Sequence, residues 1–402
     1  MHPWRFARRF RRGGFGWRSA TAVDALREAI AEVAGATRMD RALGAEGAVA
    51  LLVRLSGAFA NVDSSSGALG TAVNDAIATF APIVGTAPLA PAQRHRLLDR
   101  LWQGVTEDDY GYLDGVEHHW GSYCGPQDVS AAWADERLAV VRTHLTGERS
   151  GYLKGTIATL SALSAASRYD DVLELLDGAR TSWWHYREWG FEALLALGRR
   201  AEAFRYAEAS RGVNDGPAVD AACERVLLGS GLQEEAYGRY GMSAAPYRST
   251  NLAVFRAVCK KYPAIEPRRI VRDLAANDPG REGRWFAAAV SANCLDVALA
   301  LAERSSADPH TLLRAARKQL EKEPSFACDV ALLALRSIAA GWGFDVTSGD
   351  VTEAAAIGRD AATRLGRQNE FERRLNNEDI AGSALVRHTL RLQTPTQQPR
   401  RN

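Results

Sequence analysis

The sequence predicts an all-α protein, an α-solenoid of stacked antiparallel helical hairpins with an N-terminal helical region before the stack. Three observations predict it. No alternating β-branched run is joined to another by an Asn-Gly or Asp-Gly turn anywhere in the 402 residues. Apolar residues recur at helical spacing through most of the chain. One local junction pattern returns several times, at related intervals.

Each element follows from its own residues. Val23, Leu26, Ile30 and Val33 form one stripe and predict a helix over 21–34. An Ala-rich helix over 41–60 carries Val49, Leu52, Val53 and Phe59. The polar run from Asn61 to Gly67 breaks the pattern. A helix through Val73, Ile77 and Phe80 follows, and Pro88 and Pro91 open the next, whose apolar face is Leu97, Leu98, Leu101 and Trp102. Proline suits a first helical turn because the N–H it lacks would have no partner there.

The recurring junctions are Ser167–Leu173, Gly198–Phe204, Gly231–Tyr237 and Ala292–Ala298, with a fifth at Gly366–Phe371. In the first four a small residue lies four positions before an acid: Asp171, Glu202, Glu235 or Asp296. The acids are 31, 33 and 61 residues apart, the last spacing being close to two periods. A short turn between antiparallel helices needs a small residue, and an acid in the first turn of the second helix meets the positive end of its dipole. Such pairs bury their apolar faces only by stacking on neighbours. The period and the turn are of the tetratricopeptide type, though the full consensus of that repeat is not met.

Residues 281–371 carry Gly283–Ala289, Asp308–Leu312, Lys322–Ala327 and Gly341–Thr347. With these segments the chain resembles an uncharacterised bacterial family of helical-repeat proteins, and Asp108–Asp114 resembles a short acidic-aromatic motif of such proteins. The resemblance spans roughly 65–375 and implies an α-solenoid. Some relatives occur near SWIM-type zinc-finger sequences, whose Cys and His pattern is absent here. The resemblance implies no activity, substrate or catalytic residue.

Hydrophobic residues at 46% and charged residues at 24% exclude wholesale disorder, a coiled-coil rod and a collagen-like chain. The net charge of +2 is uneven. Residues 1–18 hold six arginines and no acid, and residues 380–402 hold four more and no acid, which leaves the body at −8. Five dispersed cysteines form no Cys-x-x-Cys pair, which speaks against a disulfide framework or a zinc ribbon. Apolar runs are read as too short to cross a membrane, and the expected compartment is the cytoplasm.

Enzyme signatures are missing: there is no phosphate-binding loop motif, no strand-anchored dinucleotide fingerprint and no nucleophile elbow. No catalytic residue and no cofactor are assigned. Two polar segments remain. Residues 107–124 hold Asp108, Asp109, Tyr110, Asp114, His118 and His119. If 112–120 is helical, Asp114 and His118 share a face, so that carboxylate and imidazole could hold a metal or act as an acid–base pair; the competing reading is a capped helix start. Residues 183–189 read Trp-Trp-His-Tyr-Arg-Glu-Trp. Helical spacing puts Trp183, Tyr186, Gly190, Leu194 and Leu197 in the core and leaves Trp184 and Trp189 to fill a groove or to serve, with Arg187, as partner anchors. Asp108, Asp109 and Tyr110 join these as partner-binding candidates. The N-terminal arm interleaves aromatics with Arg5, Arg8, Arg9, Arg11 and Arg12. Such a segment can be a solvated flexible end, a nucleic-acid or membrane binder, or a strap docked on the acidic body, the last being slightly preferred to the external partners.

The expected organisation is an arm over 1–19, a helical region over 20–125, a right-handed repeat array over 128–391 and a disordered tail over 392–402. The expected function is a non-enzymatic scaffold binding a protein or peptide on a concave repeat surface. The alternatives are a nucleic-acid-binding module using the arm and a metal-assisted enzyme centred on residues 108–119.

Overall fold

A computed structural model of the chain describes residues 2–147, 151–180, 183–212, 215–243 and 250–392. The expected tail after Leu392 lies outside the described residues. Among the described residues there are 24 α-helices, one 3-10 turn and no strand, so the fold is all-α. The chain forms two compact units, Met1–Val226 and Leu227–Asn402.

The first unit runs α1 (Phe6–Arg9), α2 (Ser19–Met39), α3 (Arg41–Ala58), α4 (Ala68–Gly85), α5 (Pro91–Thr106), α6 (Gly115–His118), α7 (Trp120–Cys124) and α8 (Gln127–Thr146). It continues with α9 (Thr156–Ala165), α10 (Tyr169–Asp177), α11 (Trp184–Ala196), α12 (Arg200–Ala209) and most of α13 (Gly216–Gly229). The stripe expected on α2 is the buried one at Val23, Leu26 and Val33, with Ile30 partly buried. Asp40 caps α3 by accepting from the Ala42 and Leu43 amides at 2.9 and 3.2 Å, and Pro91 opens α5. Helix α4 meets the length and hydropathy of a membrane span, an exception to the expectation from sequence. Its apolar residues Leu69, Val73, Ile77 and Phe80 are buried in the unit's core.

The core runs continuously through residues 125–128. Trp102 of α5, Trp120 of α7 and Trp133 of α8 pack as a triangle with ring centroids 4.9–5.1 Å apart. Buried Arg94 ties the same region together, donating to the carbonyls of Val84, Gly85, Ala87 and Cys124. These bonds satisfy carbonyls that the ends of α4 and α7 leave unpaired.

The second unit holds α14 (Gln233–Tyr240), α15 (Asn251–Lys261), α16 (Pro267–Ala276), α17 (Phe286–Ser291), α18 (Leu295–Arg304), α19 (Pro309–Gln319) and α20 (Pro324–Ala339). It ends with α21 (Ser348–Arg364), α22 (Gln368–Leu375), α23 (Glu378–Ala381) and α24 (Ala384–Leu390). Helix α20 packs against both α19 and α21 and buries residues around most of its circumference.

The junction pattern is a real structural repeat. Ser167, Gly198, Gly231, Asn293 and Gly366 all adopt left-handed backbone, with φ between 57° and 77°. The next amide in each case bonds back five residues: Arg168 to Leu163, Arg199 to Leu194, Leu232 to Leu227, Cys294 to Ala289 and Arg367 to Ala362, at 2.8–2.9 Å. This is the Schellman closure of one helix, and the residue after the left-handed one caps the next. At the fourth junction the turn residue is Asn293 rather than Ala292, one position later than the four-residue spacing to Asp296 indicates. Glycine and asparagine tolerate left-handed backbone, which is why small residues recur there. Two of the acids clasp the arginine beside the turn: Arg168 Nε to Asp171 at 2.5 Å, and Arg199 to Glu202 through two bonds at 2.7 and 2.8 Å.

Candidate partner-binding surface

The two polar segments singled out in the sequence meet in the first unit. Helix α6 is one turn long, with Asp114 at its N-cap position and a break at His119, so the longer helix expected over 112–120 does not form. His118 Nε2 lies 3.5 Å from the Glu188 carboxylate, and the His118 and Trp189 rings are 6.2 Å apart. Asp114 turns elsewhere and lies 3.9 Å from Lys154. Asp114 and His118 therefore face different partners. Among the described residues no group of three or more His, Cys, Asp or Glu side chains is arranged to hold a metal ion.

Glu117 is the buried centre of this region, 1% exposed. Its carboxylate accepts from Tyr152 Oη at 2.9 Å, from the Gly155 amide at 2.9 Å and from the Ala158 amide at 3.3 Å. It thus caps α9 from a distant part of the chain. Burial raises its pKa, against the pull of those three donors. Asp114 is also raised, first by burial, with Lys154 acting in the opposite sense. Burial holds His119 and His185 below the ordinary imidazole value, so both rings are neutral at pH 7. Cys124, the cysteine closest in sequence to His118 and His119, is buried and its thiol is pushed up to about 12, which makes it a poor nucleophile.

The partner-binding candidates divide into buried and exposed sets. Trp184 is 7% exposed and packs on Phe191, so it belongs to the core and not to a surface anchor. Trp183, expected in the core, is the N-cap of α11 and is exposed, stacked on His185 with centroids 5.3 Å apart. The stripe on α11 starts one residue later than its spacing suggested, because the helix begins at Trp184 and Trp183 precedes its first turn. Leu197, expected to end that stripe, is also exposed. Trp189 is half-buried against the core, and among the described residues its indole N–H meets no acceptor. Arg187 packs α11 on α12, donating to Tyr206 Oη at 3.2 Å. Asp108 is buried and holds its own loop, accepting from the Tyr110 and Leu113 amides at 3.1 and 2.6 Å. Asp109 and Tyr110 are exposed. Exposed Tyr152, for which the sequence carried no signal, donates to Glu117, the chain neighbour of His118.

The N-terminal arm is docked on its own unit. Phe6, Phe10 and Phe15 are buried, and Phe10, Phe15 and Phe59 form a ring cluster with centroids 5.1–5.7 Å apart. The Arg5 and Phe6 amides donate to Glu32 at 2.7 and 3.1 Å, and Arg9 donates to Glu28 at 2.6 Å. Arg8, Arg11 and Arg12 are exposed. The three phenylalanines that could have stacked on bases are committed to the core.

The geometry defines an all-α hairpin protein carrying an exposed aromatic, imidazole and carboxylate patch. No protein-family model matches the chain, and no curated protein matches it either.

Proposed function

We propose that the chain is a non-enzymatic interaction scaffold, and that its first unit binds a peptide segment of a partner protein at the patch around Trp183, His185, His118, Glu188 and Tyr152. One observation carries the reading. Segments about seventy residues apart in sequence bring exposed Trp183, stacked on partly buried His185, to the same patch as the half-exposed side chains of His118 and Glu188, whose charges both act on His185. The groups that could have done acid–base chemistry there are engaged instead, Glu117 in capping α9 and Asp114 with Lys154. The Glu188 carboxylate and the exposed Trp183 ring favour a segment with a Lys or Arg to meet Glu188 beside an apolar side chain to cover Trp183.

Selection of a random peptide display library on the intact protein tests this. The expected result is enrichment of sequences with a basic residue next to an apolar one, and loss of their binding to Trp183→Ala. Enriched peptides that bind Trp183→Ala and Glu188→Gln as tightly as the parent protein would overturn the proposal.

A further inference from the structure

A second surface of the first unit has the composition of an anion site. Glu46, Ala50 and Arg54 lie on one face of α3, and Arg96 and Arg100 on one face of α5, which packs beside it. Together with His2 and Trp4 from the docked arm these residues line a cavity of about 440 Å³. A comparable cavity on the other side of the arm is lined by Arg5 and Arg9 together with Glu28 and Glu32, so its charges cancel in ion pairs. The α3–α5 cavity has three arginines against the single carboxylate of Glu46. Among the described residues none of Arg54, Arg96 and Arg100 has an ion-pair partner, although the body of the chain is acidic.

Arg54 is the anchor of the group. It is partly buried, and one of its guanidinium nitrogens donates to the Ala50 carbonyl at 2.5 Å, which fixes the side chain along its helix. Burial, and then the Arg100 charge, hold its pKa below the ordinary value. Arg54 and Arg100 repel one another across this cavity, and an anion seated between them would offset that repulsion. Trp4 is held as a wall by Gly47, where a Cβ would meet the indole at 2.3 Å.

We propose that Arg54, Arg96 and Arg100, closed by Trp4, bind a small phosphate-bearing anion. Guanidinium groups suit the tetrahedral oxygens of phosphate because each presents paired donors in a plane. This site is independent of the peptide patch, and its residues differ from the arm arginines that the sequence put forward.

Pyrophosphate titrated into the full chain, followed by calorimetry and thermal unfolding, tests the assignment. The expected result is saturable binding that weakens with added salt and raises Tm. Arg100→Gln is expected to reduce affinity at least tenfold while leaving Tm of the free protein unchanged or higher, because a repulsion is removed. Glu46→Gln is expected to tighten binding. A merely structural Arg100 would lower Tm instead. The proposal is overturned if pyrophosphate does not bind, if Arg100→Gln binds it as the parent protein does, or if single-stranded polyuridylate binds through these arginines while pyrophosphate does not.

Discussion

The N-terminal arm and the start of α11 are the two places where aromatic and charged residues crowd together, and the fold treats them differently. In the arm every phenylalanine goes inward and the charges go outward, Arg9 onto Glu28 and the Arg5 guanidinium to within 3.8 Å of Glu32. At the start of α11 the rings are divided, with Trp184, Tyr186 and Phe191 buried and Trp183 and His185 left at the surface. The arm buries its phenylalanines and leaves Trp17 72% exposed, whereas α11 leaves Trp183 exposed at the N-cap of the helix that also carries Glu188, the arrangement proposed to meet a partner. Density of aromatics alone is therefore a poor guide to a binding site, and an exposed ring beside polar groups of another segment is a better one.

Substitutions put this contrast to the test. The largest effect is expected from Phe10→Ala, which empties the ring cluster beneath the arm. It should cost about 3–5 kcal/mol, read by denaturant unfolding, and expose the arm to proteolysis. A cost below about 1 kcal/mol would mean that the arm is not integral to the core.

A middle effect is expected at Glu117. Its pKa is raised, so the ionised form is disfavoured in the fold. Its contribution to stability should be greatest below the ordinary carboxylate range and fall as pH rises through the raised value. Glu117→Gln keeps an acceptor for the Gly155 and Ala158 amides and removes the titration, so the pH dependence of Tm should flatten. Glu117→Ala leaves those amides uncapped and should cost about 1–3 kcal/mol. An unchanged pH profile in Glu117→Gln would contradict the assignment of the buried carboxylate as ionisable in the fold.

The smallest effect on stability is expected at a turn. Ser167 occupies the position that Gly198, Gly231 and Gly366 fill elsewhere. Ser167→Gly relieves left-handed strain and should raise stability by up to about 1 kcal/mol. A loss of stability would show that the Ser167 side chain matters more than its backbone.

Much of the fold was legible in the sequence because helical spacing and turn chemistry are local. The stripe on α2, the break after α3, the proline start of α5 and four of the five turn positions all follow from neighbouring residues. The fourth turn slipped by one because Ala292 keeps the small-residue spacing to Asp296, whereas Asn293 is the residue that tolerates left-handed backbone. The candidate site was less legible. Spacing along α11 requires knowing its first residue, and a start at Trp184 moved Trp183 out of the core. Asp108 and Glu117 look alike as exposed acids in a polar run, yet both are buried, Asp108 by the amides of its own loop and Glu117 by α9 amides far along the chain, which no local pattern announces. The α3–α5 arginines carry no sequence signal, since they are scattered over two helices and only packing brings them together.

The exposed half of the α11 segment is proposed to serve binding, and the buried half serves the fold. Measuring Tm and the affinity of a selected peptide together, in Trp183→Ala and Trp184→Ala, tests it most directly. Trp183→Ala is expected to keep Tm within about 2 °C of the parent and to lose at least tenfold in peptide affinity, while Trp184→Ala lowers Tm markedly. Unchanged affinity in Trp183→Ala, with Tm falling as far as it does in Trp184→Ala, would contradict the account.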